Sequence, residues 1–326
     1  WEIGKKFFSF KKYLSQLTRF LKENRPDVMV WVDFGGFNLL LAEQASALSI
    51  PVVCIFPPSA WAYGKGRAIR LANCVSHVVS VLPFEADFYR EYAVKVTYVG
   101  HPLVDRVRPL IDRELWRKSQ GVTDEEKVIL LMPGSRSQEV RQILPVMLEA
   151  VAQVALKEKK LRFFLPVAPT IGRERLRSYL SAYPGLVKTI SSEDVYNLMA
   201  AADLGIVASG TATLEAALLG LPIIVTYRLT KFSAFVFQIL RNKEQRNKPV
   251  MVALPNLIKG RQVVPELIQD ELTAENLASQ FRSFLGQKEL VEEVREELLG
   301  INELLGPPGI MERVAKIVMA EAAQKR

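Results

Sequence analysis

The sequence predicts an α/β protein with two nucleotide-binding-type domains in tandem, facing each other across a cleft. At about 150 residues per domain, a chain of 326 residues corresponds to about two domains. Continuous apolar runs, typical of strands buried in parallel sheets, alternate with segments that have a helical repeat. The alternation begins anew at residues 127–136, so each half of the chain is expected to form its own parallel sheet.

The first half opens with a helix and continues with strands and helices in turn. Apolar residues recur at helical spacing over residues 7–24, and Pro26 ends this helix. A sheet that begins with a helix resembles one whose first strand is missing, so we expect the amino-terminal domain to be truncated. The predicted strands are 28–33, 51–56, 77–82 and 94–100, and the helices between them are 39–48, 67–74 and 84–92.

The second half follows a linker over residues 101–126. Its tail is helical and charged from Ala274 onward, with a break at residues 306–309. Strands are predicted within 127–136 and at 161–168, 204–209 and 222–227, with helices that begin near Asp194 and Thr211. We therefore divide the chain into an incomplete amino-terminal domain (1–110), a carboxy-terminal domain (111–300) and a helical tail (301–326).

The composition is that of a chain that forms a hydrophobic core. Hydrophobic residues make up 49% and charged residues 24%, which argues against extended disorder or fibrous repeats. No uncharged apolar stretch reaches the about 18 residues of a membrane-spanning helix, and the most apolar helical candidate, 232–240, is far shorter. Cys54 and Cys74 have no metal-type or redox spacing, so we expect two buried thiols in a reducing cytoplasm.

The formal net charge of +8 indicates a partner class only weakly. A nucleic-acid-binding protein would cluster its basic residues along one element, whereas here they are spread, so nucleic acid is not an expected partner. Two interpretations stay open. The charge reflects a slightly basic solvated surface, or it attracts diphosphates and an anionic membrane surface.

The turn at residues 133–136 is the first candidate for ligand binding. Gly134 follows an apolar strand, and Ser135 is a suitable N-cap for the next helix. Backbone N–H groups and the helix dipole at such a turn attract an anion, and Arg136 would add a bidentate donor for phosphate oxygens. The alternative is a structural turn without a ligand.

A second turn of this kind follows the strand at 204–208. Ser209, Gly210 and Thr211 are small enough to let a phosphate approach the helix start. Glu215 lies one helical turn further on, on the same face, where its carboxylate could accept hydrogen bonds from ribose hydroxyls. The alternative is a capped helix with a solvated glutamate.

Asp33 is the candidate catalytic base. It ends an apolar strand, the position where ligands of open α/β sheets bind, and the neighbouring Gly35 and Gly36 leave room for a ligand. A carboxylate in that position could take a proton from a hydroxyl nucleophile. The alternative is an aspartate that caps the next helix. No cluster of histidine, cysteine and carboxylate has metal-ligand spacing, so no metal site is predicted.

Seven segments stand out together along the chain. They are PDVMVWVDFGGFN (26–38), PPSAWAYGKGR (57–67), LPFEADFY (82–89), YVGHPLVD (98–105), LMPGSR (131–136), ASGTATLEAAL (208–218) and PNLIKGRQVVPELIQ (255–269). In this order they resemble the landmarks of the lipid-A-disaccharide synthases. The resemblance extends from Trp1 to about Gln269, and seven landmarks in family order make it specific. It implies a GT-B-type fold of two Rossmann-like domains.

The resemblance implies a single inverting glycosyl transfer without a metal or any other cofactor. The donor would be UDP-2,3-diacylglucosamine and the acceptor 2,3-diacylglucosamine 1-phosphate, and the products a β(1→6) disaccharide 1-phosphate and UDP. This family works on the cytoplasmic side of the membrane, so we expect peripheral attachment to the inner face. Whether two copies form a homodimer stays open.

In this interpretation Asp33 is the base, and fixed dipoles and arginine stabilise the leaving UDP. We expect Ser59, Trp61 and Arg67 to contact the acceptor or the membrane, because aromatic and basic residues are interleaved in this stretch. The UDP-sugar contacts are expected from Arg136 and from Gly134, Ser135, Ser209, Gly210, Thr211, Glu215, Asn256 and Arg261.

The chain departs from the family pattern at two points. Nothing corresponds to the family's first strand with its GExSGD loop, and Gly36 replaces the usual acidic residue three positions after Asp33. Two other functions stay open. One is an isomerase that resembles the UDP-N-acetylglucosamine 2-epimerases, and the other is a UDP-sugar-binding homologue that has lost catalysis.

Overall fold

A computed structural model describes residues 2–63, 65–228 and 251–323, and the side chains of 2–9 and 62–65 are outside this description. The described residues form two compact units. The first unit contains residues 2–105 and 304–323, and the second contains 106–228 and 251–303.

The first unit is built on a four-stranded parallel sheet with the strand order β1-β2-β3-β4. Strands β2 and β3 are buried on both faces, and β2 is entirely apolar and includes the buried Cys54. β3 also buries the polar His77 and Ser80, which are hydrogen-bonded to other described residues. The elements are α1 (Glu2–Asn24), β1 (Met29–Val32), α2 (Gly35–Ala47), β2 (Val52–Ile55), α3 (Ala60–Tyr63), α4 (Lys65–Cys74), β3 (His77–Ser80), α5 (Pro83–Arg90), β4 (Val96–Tyr98) and α6 (Leu103–Arg106).

The second unit contains a six-stranded parallel sheet with the order β10-β9-β8-β5-β6-β7. Its elements begin with α7 (Arg113–Ser119), β5 (Lys127–Met132), α8 (Ser137–Ala155), β6 (Leu161–Val167), α9 (Arg173–Leu180), β7 (Val187–Ser191), α10 (Val195–Ala201) and β8 (Leu204–Ala208). They continue with α11 (Thr211–Leu218), β9 (Ile223–Tyr227), α12 (Leu254–Lys259), β10 (Glu266–Ile268), α13 (Ala274–Gly286), α14 (Lys288–Leu299) and α15 (Ile301–Leu304).

The predicted separate helical tail (301–326) is wrong, because the last described helix packs as part of the first unit. Helix α16 (Ile310–Ala323) belongs to the first unit. Its buried Glu321 lies 3.0 Å from Nδ1 of His77 on β3 and 2.5 Å from Nζ of Lys95. The ring of His77 also contacts the Thr97 hydroxyl at 2.9 Å, so this histidine has a structural role. A buried carboxylate needs such partners, and they fix the helix against the sheet.

Two strands were missed in the sequence analysis because both lie at sheet edges. β7 is half exposed and interrupted by polar residues, and β10 has only three residues, so neither gives the continuous apolar run by which the other strands were predicted. Helix α2 also begins four residues earlier than predicted, directly after Asp33 and Phe34.

The described residues include no helix that is long and apolar enough to cross a membrane. The apolar candidate at 232–240 lies outside the described residues.

Candidate active site

The two glycine turns of the second unit follow neighbouring strands. β5 pairs directly with β8, with Met132 opposite Val207, while the chain between them passes through β6 and β7 on the other side. The strand order therefore reverses between β5 and β8, and ligands of open α/β sheets bind outside the carboxyl ends of strands at such a reversal. The turns at 133–136 and 209–211 both lie at this edge.

The turn after β5 has its backbone donors already occupied by a carboxylate of the same chain. Oε2 of Glu139 accepts from the backbone N–H of Ser135 at 3.1 Å and of Arg136 at 3.2 Å. Nη1 of Arg136 donates to Oε1 of the same carboxylate at 2.7 Å. A Cβ on Gly134, whose φ is +107°, would lie 2.4 Å from Oε2, so only glycine fits.

This arrangement corrects the predicted cap. The N-cap residue of α8 is Arg136 and not Ser135, and Glu139 at the third helical position accepts from the backbone N–H of Arg136. This is the glutamate half of a capping box, since a guanidinium cannot accept the reciprocal hydrogen bond. The three donors predicted for a phosphate thus hold an internal anion instead. The Arg136 side chain is 82% exposed, so it can reach a ligand without moving the backbone.

The turn after β8 is not covered by any of the described residues. Gly210 is the N-cap of α11 with a φ of +156°, and a Cβ added there would meet no described residue within 4 Å. Thr211 is exposed at the first position of the helix. The Ser209 hydroxyl donates to the carbonyl of Val252 at 2.7 Å, so this side chain secures the turn. The helix start therefore leaves space for an anion beside its backbone N–H groups.

Glu215 is held in place by a tyrosine. The hydroxyl of Tyr196 donates to Oε1 of Glu215 at 3.1 Å, and no hydrogen bond from the described residues reaches Oε2. Burial raises the pKa of Glu215, while the hydrogen bond from Tyr196 and the charge of Arg106 oppose this shift. Burial and the neighbouring carboxylate raise the pKa of Tyr196 to about 12. The second carboxylate oxygen is thus a fixed acceptor.

Asn256 has a structural role, which corrects its predicted contact with the nucleotide. The residue is fully buried, and Nδ2 donates to the Val264 carbonyl at 2.9 Å and to Glu266 Oε1 at 2.7 Å. Its Oδ1 accepts from the N–H groups of Val263 at 2.8 Å and Val264 at 2.9 Å. All its hydrogen-bonding groups are used within the chain, so none is left for a ligand.

Arg261 is paired on the surface of the second unit. Its Nη2 lies 2.6 Å from Oε1 of Glu297 on α14, and the side chain is 58% exposed. Lys259 contacts the other oxygen of the same carboxylate at 3.2 Å. Contact with a nucleotide would require Arg261 to exchange this partner, so its predicted role stays a prediction.

In the first unit, Asp33 presents an exposed carboxylate at the carboxyl end of β1. Among the described residues, no hydrogen bond or ion pair reaches this carboxylate. The alternative that Asp33 caps α2 does not match the structure, because the N-cap is Phe34 and no side chain caps the helix. Both residues are left-handed, with φ of 51° at Asp33 and 52° at Phe34.

The two glycines beside Asp33 differ in what they require. A Cβ on Gly35 would lie 2.8 Å from Cγ of Pro58, so this position needs glycine for close packing. Gly36 is exposed, and a Cβ there would meet no described residue within 4 Å. The described residues therefore do not require glycine at this position.

Trp61 is anchored by a carboxylate that the sequence analysis did not single out. Its Nε1 donates to Oε1 of Glu85 at 3.2 Å, and its ring packs edge-on against Phe84 with centroids 5.1 Å apart. Glu85 is only 4% exposed, and burial raises its pKa to about 7 although Trp61, Leu82 and Ser80 donate to it. The glutamate lies two residues after Pro83, which opens α5 in the 82–89 motif, and an acid in the first turn of a helix was the available signal.

The other predicted acceptor residues lie nearby in the sequence without a common contact. Ser59 is half-buried and Arg67 is exposed. Three further aromatic or basic residues belong to the same stretch: Arg70 pairs with Glu43 at 2.8 Å, and the side chains of Tyr63 and Lys65 are outside the described residues. Arg67 is therefore an exposed cation six residues after Trp61, and its predicted contact with acceptor or membrane stays a prediction.

His101, in the 98–105 motif, is a buried histidine with one ring nitrogen bonded to the backbone. It is 8% exposed, its Nδ1 accepts from the Leu103 N–H at 3.2 Å, and burial lowers its pKa to about 4. Within the described parts of the chain, no group of three or more histidine, cysteine and acidic side chains could hold a metal ion.

Comparison with known proteins matches the family model described as lipid-A-disaccharide synthetase over residues 1–304. The lipid-A-disaccharide synthase of Geobacter metallireducens is 33% identical over 325 residues, which cover 100% of this chain and 83% of that protein.

Solved structures give the same fold at low sequence identity. The UDP-GlcNAc 2-epimerase from Neisseria meningitidis bound to UDP-GlcNAc has a TM-score of 0.62 at 17% identity, covering 94% of this chain and 81% of its own. A glycosyltransferase from Rickettsia africae has a TM-score of 0.59 at 13% identity, covering 98% and 83%. These likenesses and the two parallel sheets confirm the predicted fold class of two Rossmann-like domains.

Proposed function

Because the chain belongs to the lipid-A-disaccharide synthetase family, we propose that it joins UDP-2,3-diacylglucosamine to 2,3-diacylglucosamine 1-phosphate. The products are the β(1→6) disaccharide 1-phosphate and UDP. The observation that carries the proposal, beyond family membership, is the exposed Asp33 carboxylate at the carboxyl end of β1. An open turn at a strand-order reversal supports a UDP-sugar site in the second unit.

The proposed reaction is a single displacement that inverts the anomeric carbon. Asp33 accepts the proton of the acceptor's 6-hydroxyl, and that oxygen attacks the anomeric carbon of the donor. The new glycosidic bond forms as the bond from the anomeric carbon to the UDP oxygen breaks, and the electron pair leaves with UDP. An exposed carboxylate with no partner among the residues that the structure describes is available to take that proton.

The leaving UDP gains negative charge, and the second unit supplies positive potential for it. We assign the diphosphate to the helix starts at Gly134–Ser135 and Gly210–Thr211, with the exposed Arg136 guanidinium as the mobile cation. A phosphate on the Ser135 and Arg136 N–H groups displaces the Glu139 carboxylate, since both anions need the same donors. The free oxygen of Glu215 accepts from the ribose hydroxyls.

Both substrates carry acyl chains, so we propose that the protein works at the inner face of the membrane as a peripheral protein. Exposed basic side chains at Arg67 and Arg70, with the 53% exposed Ile69 between them, support a contact with anionic lipid. Sedimentation with anionic liposomes tests this, and binding that falls at high salt is the expected result. An absence of binding at low salt would contradict it.

Product analysis with and without acceptor tests the proposed function. The protein is incubated with UDP-2,3-diacylglucosamine alone, with the acceptor alone and with both, and disaccharide and UDP are measured by mass spectrometry. We expect both products in equal amounts and only in the complete mixture. Conversion of the UDP-sugar without acceptor would indicate an isomerase, and binding of UDP without any turnover would indicate a homologue that has lost catalysis.

A further inference from the structure

Asp33 and Phe34 form a left-handed turn, a conformation that aspartate tolerates and phenylalanine rarely adopts. Their φ angles of 51° and 52° lie in the region that glycine occupies readily and that residues with a side chain rarely adopt. Two such residues in succession persist only where the surrounding structure fixes them. The contacts that fix this turn are therefore informative about its purpose.

Two side chains hold the carbonyl oxygen of Asp33. Nε1 of Trp31, which is 1% exposed and part of the core, donates to it from the strand before the turn. Nδ2 of Asn38 donates to it at 2.8 Å from the first turn of the helix that follows. The N–H of Asp33 also donates to the Ile55 carbonyl of the neighbouring strand β2 at 3.3 Å. The peptide group after Asp33 is thus fixed from both sides.

The contact from Asn38 is not an ordinary helix cap. The unsatisfied backbone groups at a helix start are N–H donors, which need a side-chain acceptor. Asn38 instead donates, and its acceptor is a carbonyl that precedes the helix. The hydrogen bond therefore stabilises the turn and contributes nothing to the helix end.

The turn decides on which side of the sheet the Asp33 carboxylate lies. Successive side chains of a strand point to opposite faces, so residues 31 and 33 of a continued strand would share one face. Trp31 is buried on that face, while Val32 is 54% exposed. An extended Asp33 would follow Trp31 toward the core, whereas in the left-handed turn it is exposed.

We infer that Asn38, together with Trp31, is a positioning residue that holds the left-handed turn and so presents the Asp33 carboxylate to the acceptor hydroxyl. This inference rests on the proposed function, in which Asp33 is the base. In this inference Asn38 raises the rate of transfer through Asp33 and does not itself contact the donor.

The test compares Asn38→Leu with a matched control in the same unit, Asn24→Leu. Leucine has nearly the size of asparagine but no donor. Asn24 Nδ2 donates to the Phe20 carbonyl at 3.0 Å at the end of α1, so the control loses the same type of hydrogen bond away from the turn. We expect Asn38→Leu to lower kcat about tenfold with the donor KM within about twofold of wild type. The control should keep the kcat of wild type.

Combination with Asp33→Asn separates positioning from a general structural effect. If Asn38 acts through Asp33, Asn38→Leu causes no further loss in that background, because the group that it positions is already disabled. Equal kcat in Asn38→Leu and Asn24→Leu would overturn the inference, as would a full tenfold loss in the Asp33→Asn background. An inactive wild type would contradict the proposed function instead.

A crystal structure of Asn38→Leu tests the inference independently of turnover. We expect residue 33 to leave the left-handed region or its carboxylate to lose its exposed position. A variant that keeps a φ near 51° with the carboxylate in place would show that Asn38 does not hold the turn, and the inference would fail.

Discussion

The turn after β1 in the first unit and the turn after β5 in the second place their carboxylates in opposite ways. Both follow an apolar strand of a parallel sheet, and both lead directly into a helix. At the first, Asp33 is exposed and no described residue bonds to its carboxylate. At the second, Glu139 folds back onto the N–H groups of Ser135 and Arg136.

The position of the acid relative to the helix explains the difference. Glu139 is the third residue of α8, and a carboxylate there reaches the free N–H groups at the helix start. Asp33 lies two residues before α2, in a left-handed turn, and does not reach them. The same kind of turn therefore leaves an exposed carboxylate without a partner among the described residues in one unit, and an internally satisfied anion site in the other.

The largest expected effect is on the first turn. Asp33→Asn should lower transfer by at least about 10²-fold and leave UDP affinity unchanged, because it removes the proton acceptor and leaves the second unit intact. Single-turnover rates of disaccharide formation measure it. Asp87→Asn, an exposed acid on α5 whose side chain is 79% exposed, is the control and should transfer like wild type. Transfer by Asp33→Asn at the control rate would remove Asp33 as the base.

Arg136→Ala should affect binding as well as rate. A charge-assisted hydrogen bond contributes about 1.5–3 kcal/mol, so UDP affinity should fall by about 10- to 100-fold. Calorimetric titration with UDP measures it, with Arg141→Ala, an exposed arginine further along α8, as the control for charge. Equal UDP affinities for the two variants would show that the turn after β5 has a structural role and does not bind the diphosphate.

Glu85 extends the comparison of Asp33 and Glu139 to a third carboxylate, which is buried. Burial raises its pKa from 4.5 to about 7, so the folded protein binds its proton more tightly than the unfolded chain. Stability should therefore fall as pH rises from about 4.5 to 7, with a slope of at most about 1.4 kcal/mol per pH unit. Glu85→Gln should flatten this slope in urea unfolding measured across the window. An unchanged slope would contradict the assignment.

Glu139→Ala is expected to strengthen UDP binding about threefold to tenfold. The substitution frees the N–H groups of Ser135 and Arg136 and removes the anion that competes with the phosphates. It should also lower the free energy of unfolding by about 1 kcal/mol through loss of the cap. Uridine, which has no phosphate, should bind both proteins equally. Weaker UDP binding by the variant would show that Glu139 supports the site rather than occupying it.

The last two predictions concern backbone strain. They are changes in the free energy of unfolding, with no effect expected from a new or lost substrate contact, and they should have opposite signs at the two turns. Phe34→Gly should raise the free energy of unfolding by about 0.5 kcal/mol, because relief of the left-handed conformation exceeds the added freedom of the unfolded chain. Gly134→Ala should lower it by more than about 1 kcal/mol, because its Cβ would meet Glu139. Thermal or urea unfolding measures both. Destabilisation by Phe34→Gly would mean that the turn at Asp33 is not strained.

Sequence patterns located the turns well because strand ends are marked by apolar runs and glycines. Asp33, Gly134 and Gly210 were each predicted at the carboxyl end of a strand, and the structure has them there. That the strands before Gly134 and Gly210 are neighbours depends on the strand order, which no local pattern contains.

Partners of individual side chains were the part that the sequence could not predict. Asn256 is polar in a family motif, yet four hydrogen bonds within the chain use its amide completely. Glu139 was overlooked because a capping box is read from a Ser or Thr three residues before the acid, and here Arg136 holds that position. Contacts of this kind follow from tertiary packing and not from spacing along the chain.

The central claim is a division of labour, with the turn at Asp33 performing the proton transfer and the turn at Arg136 holding the diphosphate. Calorimetric UDP affinity and single-turnover transfer rate, measured side by side for Asp33→Asn and Arg136→Ala, test it most directly. The account predicts a lost rate with wild-type affinity for Asp33→Asn and weakened affinity for Arg136→Ala. Loss of UDP affinity in Asp33→Asn, with wild-type affinity in Arg136→Ala, would contradict it.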